Sequence, residues 1–159
     1  MLFRSTSGFS GDGGPAVSAQ LSNPTGLRFD SDGNLYIADN SNHRIRRVTP
    51  GGVISTVAGD GNPRLSGDTG AATSASLAFP VDVALDANNN LYISDGTNAR
   101  VRLVNRQTGI ITTAAGGGGS TNDGPAADAA LAGISGLAVD SRGGLDRKST
   151  RLNSSHVAL

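Results

Sequence analysis

The chain has 159 residues and no net charge, with 23 glycines and no cysteine, tryptophan or glutamate. That composition excludes disulfide staples and thiolate metal centres, and it removes one of the main builders of exposed helices. Asp, Asn, Thr and Gly are the residues of turns and strands, so an all-β fold is expected; no apolar run is long enough to span a bilayer, and the opening residues do not read as a secretory signal.

Taken in chain order, residues 1–5 look foreign. Leu2 to Ser5 back-translates to one end of a common sequencing adapter, and the run DRKSTRLNSSH from Asp146 to His156 back-translates to another. Residues 1–5 and 146–159 are therefore set aside as an expression scar would be. Between them stand nine Arg and twelve Asp, a net charge of −3, with His43 as the sole histidine and no lysine.

Residues 6–20 hold a Gly-rich connection, GFSGDGGPA, and residues 21–61 then show four short runs of alternating apolar residues at 26–30, 34–39, 43–49 and 53–59. Period-two alternation is the mark of strands with one buried face. The run DSDGN between the first two supplies residues that accept the left-handed backbone of a tight hairpin. A second connection, RLSGDTGAA, occupies residues 62–76. It leads into residues 77–116, whose runs at 82–86, 90–95, 100–105 and 110–116 repeat the first set. Residues 117–130 form a third connection, and 131–145 (LAGISGLAVDSRGGL) open a third copy. Leu21 to Val48 lies over Leu77 to Val104 without a gap, an offset of 56, and Leu131 follows Leu77 by 54. The connections keep register too, Gly14 matching Gly70 and Gly124, so they belong to the repeat. A four-stranded up-and-down unit of this length has the size of one propeller blade.

The runs NPTGLRFDSDGNLYIADNSNHRIRRV and GVISTVAG, with GFSGDGGPA before them, resemble the NHL repeat of bacterial multi-repeat proteins, and the likeness extends over residues 8–145. The resemblance implies a β-propeller of typically six blades whose first strands line a central channel. At this period a ring of about six blades needs roughly 330 residues. The expected architecture is thus a β-propeller fragment: two complete four-stranded antiparallel blades and the start of a third. Its open flanks are expected to destabilise it or to make it self-associate. Family analogy favours an extracytoplasmic location.

Several residue sets invite a functional reading. Arg44, Arg46, Arg47, Arg100 and Arg102 suggest a basic patch of the kind some animal NHL domains offer to RNA. However, Arg44/Arg100 and Arg46/Arg102 recur at fixed register, as a structural role pairing them with Asp39 and Asp95 would require. The segment is also net acidic and poor in aromatic rings, so nucleic acid is disfavoured. Asp30, Asp32 and Asn34 resemble the opening of a calcium loop, but no acidic residue closes it and strands flank it, which makes a hairpin turn the simpler reading. Asp30, Asp86 and Asp140 recur at the ends of the expected channel-lining strands and are the candidate metal ligands; calcium is the cation they would suit, and no other cofactor is expected. His43 alone cannot build the histidine cluster of the zinc-dependent amidating lyase that shares this fold, and lactonase-like relatives rely on a glutamate this chain lacks. The GGGG run at 116–119 has neither the Lys nor the following helix of a phosphate loop, and Ser10 has no base beside it. The function expected is a non-catalytic scaffold binding protein or carbohydrate. Its alternatives are a metal-dependent lyase or lactonase-like enzyme with its site in other blades, and an RNA-binding module.

Overall fold

The computed structural model describes residues 7–119, 125–131, 133–140 and 144–149, the last four by their backbone. Two four-stranded antiparallel sheets follow one another along the chain. The first contains β1 (Pro24–Phe29), β2 (Leu35–Asp39), β3 (Arg44–Val48) and β4 (Ile54–Ala58), and the second β5 (Pro80–Leu85), β6 (Leu91–Asp95), β7 (Arg100–Val104) and β8 (Ile111–Ala115). In both sheets the spatial order is the chain order, the meander that short hairpins impose. All eight expected strands are present, with ends displaced by one or two residues. The first strand of each blade begins at a proline, which lacks the N–H a central ladder position would need, and a register shift follows at once, between Pro24 and Leu27 and between Pro80 and Val83. β9 (Ile134–Val139) and β10 (Leu145–Ser149) form a two-stranded third sheet. Residues 146–149, set aside on sequence grounds, thus pair with β9; ladder bonds join main-chain groups and place little demand on side-chain identity. Residues 1–5 and 150–159 lie outside the described residues, as does Gly124.

The connections are built into the sheets. The Gly13 N–H donates to the Ile54 carbonyl at 2.8 Å and the Ile54 N–H to that of Gly14 at 3.0 Å; Thr69, Ile111 and Gly70 repeat the exchange at 2.8 and 3.0 Å. Each connection therefore satisfies the outer edge of the blade that follows it, which would otherwise present unpaired backbone. The same segment also holds the preceding blade, because Gly59 N–H bonds the Ala72 carbonyl and Asp60 N–H that of Ala75. The glycines that the turn itself demands are Gly11 and Gly67, at φ of +89° and +85°, where a Cβ would lie 2.6 and 2.5 Å from the alanines at 19 and 75. Single-turn 3₁₀ helices at Ala16–Ser18, Ala72–Ser74 and Ala126–Asp128 complete these connections, and a fourth at Asn40–Asn42 joins β2 to β3. Three residues are too few to leave a periodic signal in sequence.

The apolar core lies between sheets. Tyr36, Ala38, Ile45 and Ala58 of the first blade pack against Leu77, Val83, Leu91, Ile93 and Ile111 of the second. Tyr92, Val101 and Ala115 on the second blade's other face meet Leu131, Ile134, Leu137 and Leu145 of the third sheet. Face-to-face stacking of successive sheets is how a propeller buries both faces of each blade.

Candidate functional site

Two buried guanidinium groups organise the blades. Arg46 on β3 and Arg102 on β7 are completely buried, an environment that charged groups occupy only when paired. The Arg102 fork donates to Asp68 at 2.7 Å, to the Ser66 carbonyl at 3.1 Å, and to Asp95 at 3.4 Å. Arg46 does the same with Asp12 at 2.8 Å, the Ser10 carbonyl at 3.0 Å and Asp39 at 3.4 Å. Each arginine thus clamps the Gly-rich connection to the end of β2 or β6. The aspartates are themselves saturated: Asp95 accepts the Ala78 N–H at 2.7 Å and the Asn98 amide at 2.8 Å, and Asp39 accepts the Ser22 N–H and the Asn42 amide at the same distances. Burial pushes the Asp95 carboxyl up from its ordinary value, against the pull of Asn98, Ala78 and Arg102. Asp12 and Asp68 were not singled out from the sequence, although both recur at the 56-residue offset beside equivalent serines, which is the signal that would have found them.

The repeated aspartates at the ends of the first strands close turns. Asp30 Oδ1 accepts the N–H groups of Asp32 and Asn34 at 3.0 and 2.8 Å, and its Oδ2 accepts the Asn34 amide at 2.8 Å. Asp86 repeats this with Asn88 and Asn90, and Asp140 accepts the Gly144 N–H at 2.7 Å. Burial of Asp30 works to raise its pKa, but the bonds from Asn34, Tyr36 and Asp32 outweigh it and hold the carboxyl below the usual value. The three aspartates do not converge: among the described residues no group of three His, Cys, Asp or Glu side chains is placed to hold a metal ion.

Arg44 and Arg100, the other recurring pair, are also engaged within the repeat. Arg44 donates to the carbonyls of Asn42 and Asp60 and lies over the Phe9 ring at 3.8 Å, while Arg100 donates to the Asn98 carbonyl. Arg47 faces the second blade. His43 sits in the left-handed region at φ 56°, as does its counterpart Ala99 at 51°. Its Nδ1 accepts the Phe79 N–H at 3.2 Å and its ring meets the Phe79 ring edge-on at 4.4 Å. Burial, reinforced by Arg44, lowers its pKa. His43 therefore acts as a joint between blades. On the inner strands, the Thr25 hydroxyl donates to the Val81 carbonyl at 2.6 Å, and Asp82 accepts the Leu137 N–H at 3.0 Å. Gly26 is required between them, since a Cβ there would lie 2.6 Å from the Asp82 Cα.

Residues 21–48, which carry β1 to β3 and the Asp39–Arg46 pair, match the NHL repeat family model. The chain thus carries an NHL repeat on a β-propeller fold. Human teneurin-4 is 36% identical to it over 111 residues, a stretch covering 62% of this chain and 4% of teneurin-4. A Bacteroides thetaiotaomicron protein of unknown function, known from its crystal structure, superposes with a TM-score of 0.72 at 24% identity over 83% of this chain and 34% of that one. An auxiliary nutrient binding protein from Bacteroides ovatus superposes with a TM-score of 0.62 at 23% identity, over 82% and 35%. The chain thus spans a small part of teneurin-4 and about a third of these two structural neighbours.

Proposed function

We propose that this chain is part of a non-catalytic NHL propeller scaffold that binds a protein or a carbohydrate through its loops and end faces. The observation that carries the reading is the engagement of the recurring charged groups: Arg46 and Arg102 clamp the blades, and Asp30, Asp86 and Asp140 cap turns. Side chains spent inside the repeat are not free for chemistry, which leaves recognition to loops on a rigid support. The B. ovatus neighbour's designation as a nutrient binding protein agrees with this reading, and a ring of about six blades agrees with the chain's covering a third of its neighbours. The test is a glycan-array and protein-panel screen of the 159-residue chain, run beside lactone hydrolysis assays with calcium and with a chelator. Saturable binding without turnover is expected. Calcium-dependent turnover lost to the chelator overturns the reading, as does steeply salt-dependent RNA binding.

A further inference from the structure

Most side chains in the two blades have a counterpart of the same kind 56 or 57 residues away, so a departure from the repeat stands out. Arg47 is one: the second blade has Leu103 at that position, packed among apolar neighbours. Arg47 lies directly across the β2–β3 ladder from Tyr36, as Leu103 lies across from Tyr92. Both Tyr36 and Arg47 line a cleft of about 240 Å³ between the first two blades, whose other walls include Val57, Leu91 and Val104. The Arg47 Nε is buried without a partner, and the Arg47 side chain forms no hydrogen bond or ion pair among the described residues. Of the polar residues around it, Arg106 pairs with Asp32 at 3.2 Å, Asn89 donates to Ser31, and the Asn105 oxygen caps the turn at 107 and 108, while the Thr56 hydroxyl is, like the Arg47 Nε, buried without a partner. Burial, reinforced by the Asp30 carboxylate, raises the pKa of the Tyr36 phenol.

An unpaired guanidinium beside apolar walls has a specific complement. Its planar fork matches a carboxylate through two parallel bonds, and the walls reward an apolar body at about 25 cal/mol per Å² covered. A cavity of about 150 Å³ accommodates benzene, so this cleft has room for a ring and a carboxylate together. We propose that the cleft between the first two blades is a binding site for a small monocarboxylate with an apolar body, held by Arg47. The site does not depend on the scaffold function proposed above; it lies between the first two blades, with the loop residues Asn89, Asn105 and Arg106 among its lining.

The experiment titrates 3-phenylpropanoate, its neutral primary amide and inorganic phosphate into the 159-residue chain, into Arg47→Leu and into Arg47→Lys, followed by NMR shifts of the Tyr36 ring and by calorimetry. Leu is the residue the second blade carries at this position, so Arg47→Leu is compatible with a folded blade, which circular dichroism verifies. The carboxylate should bind saturably and at least about tenfold more tightly than the amide, and Arg47→Leu should lose about that factor while keeping its affinity for the amide. Arg47→Lys, which keeps the charge without the fork, should fall between. No saturable binding of the carboxylate, equal binding by wild type and Arg47→Leu, or displacement of the carboxylate by equimolar phosphate would each overturn the proposal.

Discussion

The two complete blades share strand register, turn chemistry and a buried Arg–Asp clamp, yet their inner strands sit in opposite environments. Val83 on β5 is completely buried against the first blade, whereas Leu27, its counterpart on β1, is 51% exposed and Phe29 beside it 70%. The difference cannot be local, because the two strands have the same shape and the same partners within their sheets. It comes from the neighbour: the second blade has a sheet on each side, while the first has one flank open. Blade stability in such a repeat is the sum of an intrinsic part, supplied by ladders and clamps, and an interface part, supplied by the adjacent blade. The clamp belongs to the first and the apolar faces to the second.

Breaking the clamp should have the largest effect. Arg102→Ala leaves Asp95 buried and releases the connection at Ser66 and Asp68, so a loss of about 3–5 kcal/mol is expected in urea melts followed by circular dichroism, with Arg46→Ala falling in the same range. If Arg102→Ala cost no more than an exposed surface substitution, the clamp would not be part of the intrinsic stability. Interface substitutions separate the blades more sharply. Val83→Ala should cost about 1–3 kcal/mol, and Leu27→Ala within about 0.5 kcal/mol, because only the former opens a cavity. Equal costs for the two would mean that the interface part has been misassigned.

The open flank also predicts association. Phe29 and Leu27, together with Val17 at 96% exposure, present apolar surface that a further blade would cover. Sedimentation velocity should show concentration-dependent self-association of the 159-residue chain, and Phe29→Asp with Val17→Asp should reduce it. A wild-type chain that stays monomeric at high concentration argues that this face needs no cover.

The smallest expected effects are in pH dependence. Asp30 has a folded pKa below its unfolded value, so the stability it contributes is fully present above the ordinary carboxylate pKa and is lost as pH falls through the folded one. His43 is also depressed, and as a base its contribution is complete above about pH 6.5 and lost as pH falls through its lower folded pKa. Asp30→Asn should flatten the slope of thermal midpoint against pH below about 4, and His43→Ala the slope below about 6.5. Ala99 already holds the same left-handed backbone in the second blade, so the histidine variant keeps its turn. Slopes unchanged in both variants would assign the acid sensitivity to other groups.

Much of this architecture is legible in the residues alone, for identifiable reasons. Period-two alternation reports strands because side chains on a pleated backbone point to opposite faces, and the DSDGN and DANNN runs report hairpins because Asp and Asn can satisfy the turn's own N–H groups. The fixed 56-residue offset announced stacked copies before any contact was known. What sequence reading missed were groups whose role depends on a distant segment: Asp12 and Asp68 look like loop residues until Arg46 and Arg102 reach them, and Arg47 looks like one of a run of arginines until the second blade closes a cleft over it. Composition and repetition by themselves determined an all-β chain of recurring four-stranded units, since alternation and turn chemistry act between near neighbours in the chain. Only the tertiary structure decided which arginine is clamped and which is unpaired, and which inner strand is covered and which is bare, because those outcomes depend on what a neighbouring blade places against each face.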